Sequence, residues 1–281
     1  MQTVIGLGQA GCNVADQFKQ YPEYQILKLD VGLKKTKKTL GFKLQPSPEL
    51  YEKKMPRGID KFLEGVMPET LFITSCGVVS GASLRILEKI KKKSKISLMY
   101  IQPQLDNLVS IQKLQNQLLF NVFQEYARSA VFEKVFLIDN QKISDILGPV
   151  PILKYWDGIN EMISSTYHMI NVFDRLPPVF TTFTNRIPTA RIRSIGLVDF
   201  EKNEEKTFFS LDIPREKRYY YIVPQKMLEE DVNLMEKIQK QIKNATEHDK
   251  MRVCYSVYSS EYDRPYVYCE SSSTLIQQLA F

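Results

Sequence analysis

The chain has 281 residues, of which 43% are hydrophobic and 25% are charged, so it has the composition of a globular protein with a sizeable core. Its length allows one large α/β unit or two fused subdomains. No apolar run reaches the ~18–20 residues of a membrane span. The first residues also lack the basic and apolar regions of a signal peptide. These features predict a cytoplasmic protein with no membrane span.

The formal charge of +6 is concentrated in two lysine-rich runs, at residues 33–43 and 89–95. Such runs usually form solvated faces, and the alternative is attraction to nucleic acid or to an acidic partner surface. The chain has no helix-turn-helix, zinc-finger or aromatic RNA-binding motif, so sequence-specific binding of nucleic acid is not expected.

The cysteines and histidines do not form a pattern that predicts a metal site or histidine catalysis. The cysteines are Cys12, Cys76, Cys254 and Cys269. They show no C-x-x-C spacing and are predicted to be reduced thiols. Cys254 and Cys269 are candidates to face each other on neighbouring strands. His168 and His248 lie far apart without ligand neighbours in the sequence, so no metal site is predicted.

The first ~150 residues alternate short apolar strands with helical segments, a pattern that predicts a mostly parallel sheet covered on both faces. Strands are predicted at 3–6, 25–30, 70–75, 97–102 and 134–139. Helices are predicted at 10–19, 83–93, 108–128 and 142–147. Because ligands of such sheets bind beyond the carboxyl ends of the strands, the informative residues should come just after each strand.

A long helix is predicted at 155–176, where apolar side chains recur at helical spacing and Pro177-Pro178 ends the pattern. The residues beyond it are β-branched and aromatic runs, interrupted by one predicted helix at 225–245. The chain is therefore predicted to have a Rossmann-like nucleotide-binding domain at 1–154, a long central helix at 155–178 and a smaller α+β domain at 179–281.

The opening "GLGQAGCN" places Gly6, Gly8 and Gly11 between the first strand and the first helix. Glycines at this spacing let backbone N–H groups approach an anion at the helix N-terminus. Asp30 ends the second strand, where a nicotinamide-binding protein has the acid for a ribose hydroxyl. Considered alone, this pattern is compatible with a nicotinamide-dependent oxidoreductase.

A second turn of small residues, "TSCGVVSGAS", follows the third predicted strand and leads into a basic helix. Its members are Gly77, Ser80, Gly81, Ala82 and Ser83. Two N–H-rich turns that each open a helix suit a polyphosphate better than a single pyrophosphate. The alternative is a tight strand–helix connection with a serine N-cap.

In chain order, these elements resemble the tubulin/FtsZ superfamily. The opening is similar to the first phosphate loop of that family, which matches Gly6, Gly8, Gly11 and Asn13, with Gln9 and Ala10 between them. The second turn is similar to its signature loop GGGTG[ST]G, which matches Gly77, Ser80 and Gly81. The valines Val78 and Val79 depart from that loop, and so do Ala82 and Ser83.

Three later segments extend the resemblance. "YIQPQLDN" resembles the strand that ends before a ribose-contacting acid, with Asp106 or Asn107 in that place. "VFLIDNQKISDIL" aligns Asn140 with a nucleotide-contacting asparagine. "YWDGINEMI" resembles the start of the central helix, where Asn160 would bond guanine and Trp156 would stack on the base. The alternatives are a packing role for Trp156 and an exposed helix face for Asn160.

Members of this family hydrolyse GTP with an acidic loop of the next subunit, because a carboxylate must polarise the attacking water. The family spacing leads to "FTTFTNRIP" at 180–188, which contains no aspartate or glutamate. Asp174 is the one candidate for a hydrolytic residue, and an ion pair with Arg175 is the alternative.

The resemblance implies a protein that binds GTP or GDP, with Mg²⁺ as an accompanying ion, and assembles head to tail into filaments. Hydrolysis is expected to be weak or absent. The short chain is more similar to divergent phage- or plasmid-encoded members, which implies DNA positioning or segregation in a bacterial host cytoplasm through a DNA-linked adaptor. Two alternatives remain, a tubulin-like adaptor with a closed site, suggested by Val78 and Val79, and an NAD-dependent oxidoreductase.

Overall fold

The computed structural model describes residues 1–105, 108–246 and 250–279. Within these ranges the chain forms two compact units, residues 1–164 with 278–279 and residues 165–277. The division between them falls inside one long helix, Tyr155–Phe173. None of the helices in the described ranges is both long enough and apolar enough to cross a membrane. The predicted division at 154 and 178 stays a prediction.

The first unit is built on a parallel sheet. Its strands are β1 (Gln2–Leu7), β2 (Tyr24–Val31), β3 (Thr39–Phe42), β4 (Glu69–Thr74), β5 (Lys95–Gln102) and β6 (Lys134–Asp139). They pair side by side in the order β3-β2-β1-β4-β5-β6, and each pair is parallel. Every residue of β1 is buried, as expected for a strand covered on both faces. The predicted mostly parallel α/β sheet is confirmed.

The four helices predicted after strands of the first unit are present, together with two short helices, at 48–53 and 59–62, that were not predicted. The helices of this unit are α1 (Gly8–Gln17), α2 (Pro48–Lys53), α3 (Ile59–Phe62), α4 (Ser83–Ile90), α5 (Ser110–Arg128), α6 (Asn140–Leu147) and the start of α7 (Tyr155–Phe173). The buried side chains of α7 include Ile159, Ile163, Tyr167 and Ile170, which recur three or four positions apart. This is the apolar spacing from which the long helix was predicted.

Strand β3 was not predicted, because it lies inside the lysine-rich run at 33–43. Leu40 and Phe42 are buried while Thr39 and Gly41 between them are half-buried, which is the alternation of a strand at the edge of a sheet. Lys38 and Lys43 flank the strand and are exposed. The high local charge therefore hid a strand whose apolar signal is only two residues.

The second unit is a mixed sheet with two helices. Its strands are β7 (Phe180–Thr181), β8 (Ile192–Asp199), β9 (Glu204–Thr207), β10 (Glu216–Pro224), β11 (Arg252–Ser260) and β12 (Tyr266–Ser273). They are ordered β8-β12-β10-β11-β7, with β9 paired to β8. Only the β10–β11 pair among the described strands of this unit is parallel. Its core includes Tyr219, Tyr221 and Val257.

Two predictions for this part of the chain are wrong. The single helix expected at 225–245 is two helices, α8 (Gln225–Glu230) and α9 (Leu234–Asn244). Between them the carboxylate of Asp231 accepts the backbone N–H of Asn233, a local bond that competes with helix continuation. Cys254 and Cys269 do not face each other either, because β10 lies between β11 and β12.

Candidate functional site

The two glycine-containing turns lie at the same edge of the first unit's sheet. Strands β1 and β4 are parallel neighbours, with Gly6 opposite Ile73, so the turns that follow them leave from adjacent carboxyl ends. This is also where the strand order reverses, since β2 and β3 lie on one side of β1 while β5 and β6 lie beyond β4. Ligands of open parallel sheets bind at such a point.

Helix α1 begins directly at the end of β1 and leaves its first amide groups open. Its N-cap is Leu7, and no side chain of the described residues caps it. Gly8 has a φ of +73°, which L side chains rarely adopt, and a Cβ there would meet no neighbour. Gln9 and Asn13 are exposed on the same helix. Because uncapped helix N-termini attract anions, this turn is suited to hold phosphate oxygen atoms.

Gly11 has a different role, which is close packing. A Cβ on Gly11 would overlap the backbone carbonyl of Ile73 in β4, so only glycine lets α1 lie this close to the sheet. Cys12, the next residue, is buried, and its Sγ donates to the Gly6 carbonyl at 3.4 Å. Burial, aided by the charge of Asp30, raises the pKa of the Cys12 thiol to about 12, so this cysteine is packed and unreactive.

The second turn runs from Gly77 through a 3-10 turn at Val78–Ala82 into α4. The two valines that depart from the family loop have different environments. Val79 is buried in the protein, whereas Val78 is 40% exposed. Ser80 donates its N–H to the Gly77 carbonyl, and the Gln115 amide reaches that carbonyl and the Ser80 hydroxyl.

Two residues of the second turn have environments that the sequence did not predict. A Cβ on Gly81 would overlap the carbonyl of Pro48, so the close approach of α2 to this turn already requires glycine there. The serine N-cap considered as an alternative is wrong, because the N-cap is Ala82 and the buried Ser83 hydroxyl has no hydrogen-bond partner among the described residues.

Helix α7 is tied to this edge through Tyr155, its first residue. The Tyr155 hydroxyl accepts from the Gln104 amide at 3.0 Å and donates to the Ser144 hydroxyl of α6 at 2.9 Å. Trp156 follows, 53% exposed, with its ring edge-on to Tyr155. Asn160 is one turn further on and is 8% exposed, so an exposed helix face is not its environment. The predicted purine-contacting pair therefore starts a helix anchored at this edge.

The other predicted residues are distributed along the same edge. Asp30 is the penultimate residue of β2, and burial raises the pKa of its carboxyl. Asn140 is the first residue of α6, which Asp139 caps by accepting the Gln141 N–H. Asp106 and Asn107, predicted near the ribose, lie outside the described residues.

Three buried polar oxygen atoms at this edge have no hydrogen-bond partner among the described residues. They belong to Ser83 at the start of α4, Gln102 at the end of β5 and Asn140 at the start of α6. Buried polar groups are normally bonded, so unpartnered atoms beside two open helix starts fit a polar ligand. Ser83 was predicted as a member of the second turn, without a role for its hydroxyl, and Gln102 was not predicted, since no sequence pattern distinguishes an unpartnered side chain from a bonded one.

Asp174, the predicted hydrolytic candidate, belongs to the second unit and is already bonded. Its Oδ1 accepts from the Arg186 guanidinium at 2.8 Å and from the Tyr220 hydroxyl at 2.9 Å. The ion pair considered in the sequence therefore exists, but its partner is Arg186 and not Arg175. Arg175 donates to the side chain of Asn171 one turn earlier. No group of three potential ligands among the described His, Cys, Asp and Glu residues could hold a metal ion.

The first unit therefore combines open amide groups, unpartnered oxygen atoms and an exposed aromatic ring at one edge. No protein-family model matches the sequence, and no curated protein matches it significantly. Solved structures do match it in fold.

The chain is similar to TubZ of Bacillus thuringiensis serovar israelensis in a GTPγS-form protofilament, with a TM-score of 0.76 and 15% identity over 97% of this chain and 86% of that one. It is similar to a GTPγS-bound protofilament of CetZ2 from Haloferax volcanii, with a TM-score of 0.69 and 14% identity over 96% and 92% of the two chains.

An empty FtsZ dimer of M. jannaschii matches with a TM-score of 0.68 and 12% identity, over 96% of this chain and 87% of that one. The comparisons do not support the closed-site adaptor or the oxidoreductase. The resemblance predicted from the motifs is confirmed by these structures. The chain therefore has the tubulin/FtsZ fold.

Proposed function

We propose that the protein binds GTP or GDP at the edge between β1 and β4 and assembles head to tail into filaments. The observation that carries this proposal is the position of two helix starts without side-chain caps, at Gly8 and at Val78 in the 3-10 turn that leads into α4, after neighbouring parallel strands where the strand order reverses. The fold shared with the TubZ and CetZ2 protofilaments supports the same function.

In this proposal the phosphates lie against the two turns. The backbone N–H groups of the first turn and those of the second would donate to phosphate oxygen atoms. The residues concerned are Gly8, Gln9, Ala10 and Gly11 in the first turn and Gly77, Gly81 and Ala82 in the second, where Ser80 would contribute its hydroxyl because its N–H already donates to the Gly77 carbonyl. The two valines are compatible with this arrangement for different reasons. The side chain of Val79 is buried in the protein, and that of Val78 is exposed to solvent, so neither is proposed to close the site. Mg²⁺ would accompany the phosphates.

The nucleoside would be recognised by side chains from several elements. Trp156 would stack on the purine, and Asn140 and Asn160 would hydrogen-bond to it, while Asp30 would accept from a ribose hydroxyl. The unpartnered Oδ1 of Asn140 supports its role, since a bound base supplies the donor that this atom lacks. Asn13, Asp106 and Asn107 complete the proposed set.

Hydrolysis is proposed to be weak or absent. A hydrolytic carboxylate must accept a proton or a hydrogen bond from water. The Asp174 carboxylate instead accepts from Arg186 and Tyr220, so its Oδ1 is already engaged within its own chain. The segment 180–188, which would face the nucleotide of the next subunit, has no acidic residue.

The cellular role that would follow is the positioning or segregation of phage or plasmid DNA in a bacterial cytoplasm, through a DNA-linked adaptor. This part of the proposal rests on the resemblance to divergent tubulin-like proteins. A head-to-tail contact does not close on itself, so it would give a polymer able to span a distance in the cell.

The chain contains a single tryptophan, so its fluorescence reports directly on Trp156. Titration with GTP or GDP should quench that fluorescence, whereas NAD should leave it unchanged. By calorimetry, Trp156→Ala should lower guanine-nucleotide affinity about tenfold, because base–aromatic stacking contributes roughly 1–3 kcal/mol. The control is Tyr262→Ala, which removes another exposed ring and should leave the affinity unchanged.

Assembly and turnover are separated by pelleting the protein with GTP, GDP or a non-hydrolysable analogue while measuring released phosphate. We expect nucleotide-dependent pelleting with little phosphate release. Absence of guanine-nucleotide binding at millimolar GTP with Mg²⁺ would overturn the proposal. Rapid phosphate release that persists in Asp174→Asn would overturn the expectation of weak hydrolysis and show that another group activates the water.

A further inference from the structure

Two segments carry much of the positive charge of the chain, the lysine-rich run at 89–95 and a longer segment that contains the run at 33–43. Residues 33–61 contain nine lysines and arginines but only three acidic residues, so the segment has a formal charge of +6. That is the formal charge of the whole chain, and the remaining residues are neutral in sum. A field of one sign over a limited surface attracts a polyanion and raises its rate of association.

The structure brings this basic segment together on the outside of the first unit. It comprises the connection after β2, the edge strand β3, helix α2 and helix α3. All nine cationic side chains are exposed, and they are Lys34, Lys35, Lys37, Lys38, Lys43, Lys53, Lys54, Arg57 and Lys61. The two ends of the segment lie close together. The Lys35 ammonium is 2.8 Å from the position that a Cβ would occupy if residue 58 were not glycine.

These cations are not neutralised by their neighbours. Among the described residues, none of the nine forms an ion pair within 4.0 Å. Two acids of the segment face cations of α4 instead, with Asp60 2.6 Å from Lys89 and Glu52 3.9 Å from Arg85. Pairing of these acids with α4 leaves the positive charge of the segment available to a partner.

Protection of the sheet edge explains only part of this surface. Lysines beside an edge strand discourage pairing with other chains, and Lys38 and Lys43 flank β3 in this way. Lys53, Lys54 and Arg57 lie at or beyond the end of α2 and do not belong to the strand. Protection of the edge strand therefore does not account for these three cations.

The neighbouring side chains indicate which polyanion fits. The rings of the segment, Phe42 and Tyr51, are buried and pack edge-on with centroids 5.6 Å apart, so they cannot stack on unpaired bases. Leu44 is the one large apolar residue of the segment that is exposed, which is little for insertion into a membrane. Exposed ammonium groups without rings or apolar anchors suit the phosphate backbone of a double helix.

We propose that residues 33–61 form a surface that binds duplex DNA through its phosphate backbone, without preference for base sequence. The proposal goes beyond nucleotide-dependent assembly and does not depend on it. Binding by lysines alone would release counterions, so the affinity should fall steeply as the salt concentration rises.

The test uses the full-length chain without nucleotide and a fluorescently labelled duplex of mixed sequence. Fluorescence anisotropy is measured between about 50 and 200 mM KCl, the range over which phosphate contacts weaken strongly. The test variant replaces Lys37, Lys38, Lys53 and Lys54 by glutamine. The control replaces Lys226, Lys237, Lys240 and Lys243, which are exposed lysines of α8 and α9, and so changes the net charge equally.

The wild-type chain and the control should bind with the same salt dependence. The test variant should bind at least about tenfold more weakly at low salt. Its log–log salt slope should fall by about 0.9 for each DNA phosphate that the variant no longer neutralises. Thermal unfolding of both variants verifies that they fold.

Three results would overturn the proposal. The wild-type chain could fail to bind the duplex at low salt, or the two variants could lose affinity equally, which would make net charge sufficient. In the third result, vesicles with anionic lipid would displace the duplex from the wild-type chain and would bind the folded test variant more weakly than the wild type. The surface would then be a membrane-binding surface.

Discussion

The two units contain polar clusters of opposite character. At the carboxyl edge of the first unit, Ser83, Gln102 and Asn140 each have a buried oxygen atom without a partner among the described residues. In the second unit the carboxylates have arginine partners, although single buried atoms there, such as Ser260 Oγ and Ser271 Oγ, also lack a partner among the described residues. The buried Glu216 bonds to Arg218 and Arg252 and the buried Glu270 bonds to Arg186 and Arg193, while the exposed Asp174 bonds to Arg186.

This difference indicates different roles for the two clusters. The arginine–carboxylate cluster of the second unit stabilises the fold, whereas the unpartnered oxygen atoms of the first unit fit a ligand. A buried charge with its partner removed is strongly destabilising, so the arginine–carboxylate cluster holds the second unit together. An unpartnered buried oxygen costs free energy in the folded protein, and a ligand that donates a hydrogen bond to it recovers that cost. Substitutions in the two clusters should therefore have opposite effects on stability.

The largest effect is expected from Glu270→Gln. The change leaves Arg186 and Arg193 without the carboxylate that both contact, and Glu270 is only 2% exposed. We expect the free energy of unfolding to fall by about 3–5 kcal/mol, as when one member of a buried ion pair is removed. Urea denaturation followed by circular dichroism measures it.

The matched control for that experiment is Glu230→Gln in α8. Its side chain is 67% exposed and lies 3.9 Å from Lys226, so the same chemical change should alter stability by less than about 1 kcal/mol. If Glu270→Gln cost no more than Glu230→Gln, the arginine–carboxylate cluster would not be what stabilises this unit.

A smaller effect, of opposite sign, is expected from Asn140→Ala. The substitution removes an unpartnered buried acceptor and improves helix propensity at the start of α6, so the nucleotide-free protein should become more stable by roughly 0.5–1 kcal/mol. Guanine-nucleotide affinity should fall about tenfold, because the bound base would lack an acceptor. Thermal unfolding and calorimetry give the two quantities.

Asn116 provides the control, since it is also a buried asparagine of the first unit, and in its side chain the oxygen has a partner while the Nδ2 has none among the described residues. Its Oδ1 accepts from the Tyr100 hydroxyl at 2.6 Å, so Asn116→Ala should lower stability and leave nucleotide affinity unchanged. Should Asn140→Ala instead behave like Asn116→Ala in both measurements, Asn140 would be a structural residue and not part of a ligand site.

The sequence was sufficient to predict the parallel sheet, because buried strands such as β4 and β5 are continuous apolar runs bounded by helices. It did not predict β3, whose two buried residues are surrounded by lysines, or the break before α9, which depends on the local bond of Asp231. In both cases the secondary structure is determined by a few residues, whereas the prediction was made from the average composition of the segment.

The site was predictable to the extent that its residues lie in turns with a recognisable spacing. Gly8 and Gly77 are in this class. The packing roles of Gly11 and Gly81 depend on Ile73 and Pro48, which are distant in sequence, and the bond from Arg186 to Asp174 depends on the path of a loop. The unpartnered oxygen atoms of Ser83 and Gln102 could not be predicted, because a missing partner has no sequence signal.

The smallest expected effect compares one capping aspartate from each unit. Burial raises the pKa of Asp139 above its ordinary value of 3.8, so its ionised form is disfavoured in the folded protein. The backbone N–H of Lys202 lowers the pKa of the exposed Asp199, despite some opposing desolvation, so its ionised form is favoured.

Asp139→Asn should therefore make the protein more stable at pH 7, because asparagine keeps the oxygen that accepts the Gln141 N–H without the buried charge. Since a protonated Asp139 carries no such cost, the advantage over the wild type should vanish as the pH falls towards 3.8. Asp199→Asn should have the opposite sign, with a loss at pH 7 that disappears in acid. Melting temperatures of the three proteins across this pH range measure both changes. An Asp139→Asn variant that was less stable than the wild type at pH 7 would contradict this prediction. It would mean that the favourable interaction of the Asp139 charge with the N-terminus of α6 exceeds the cost of burying that charge. Asp139 would then stabilise the fold, as the paired carboxylates of the second unit do.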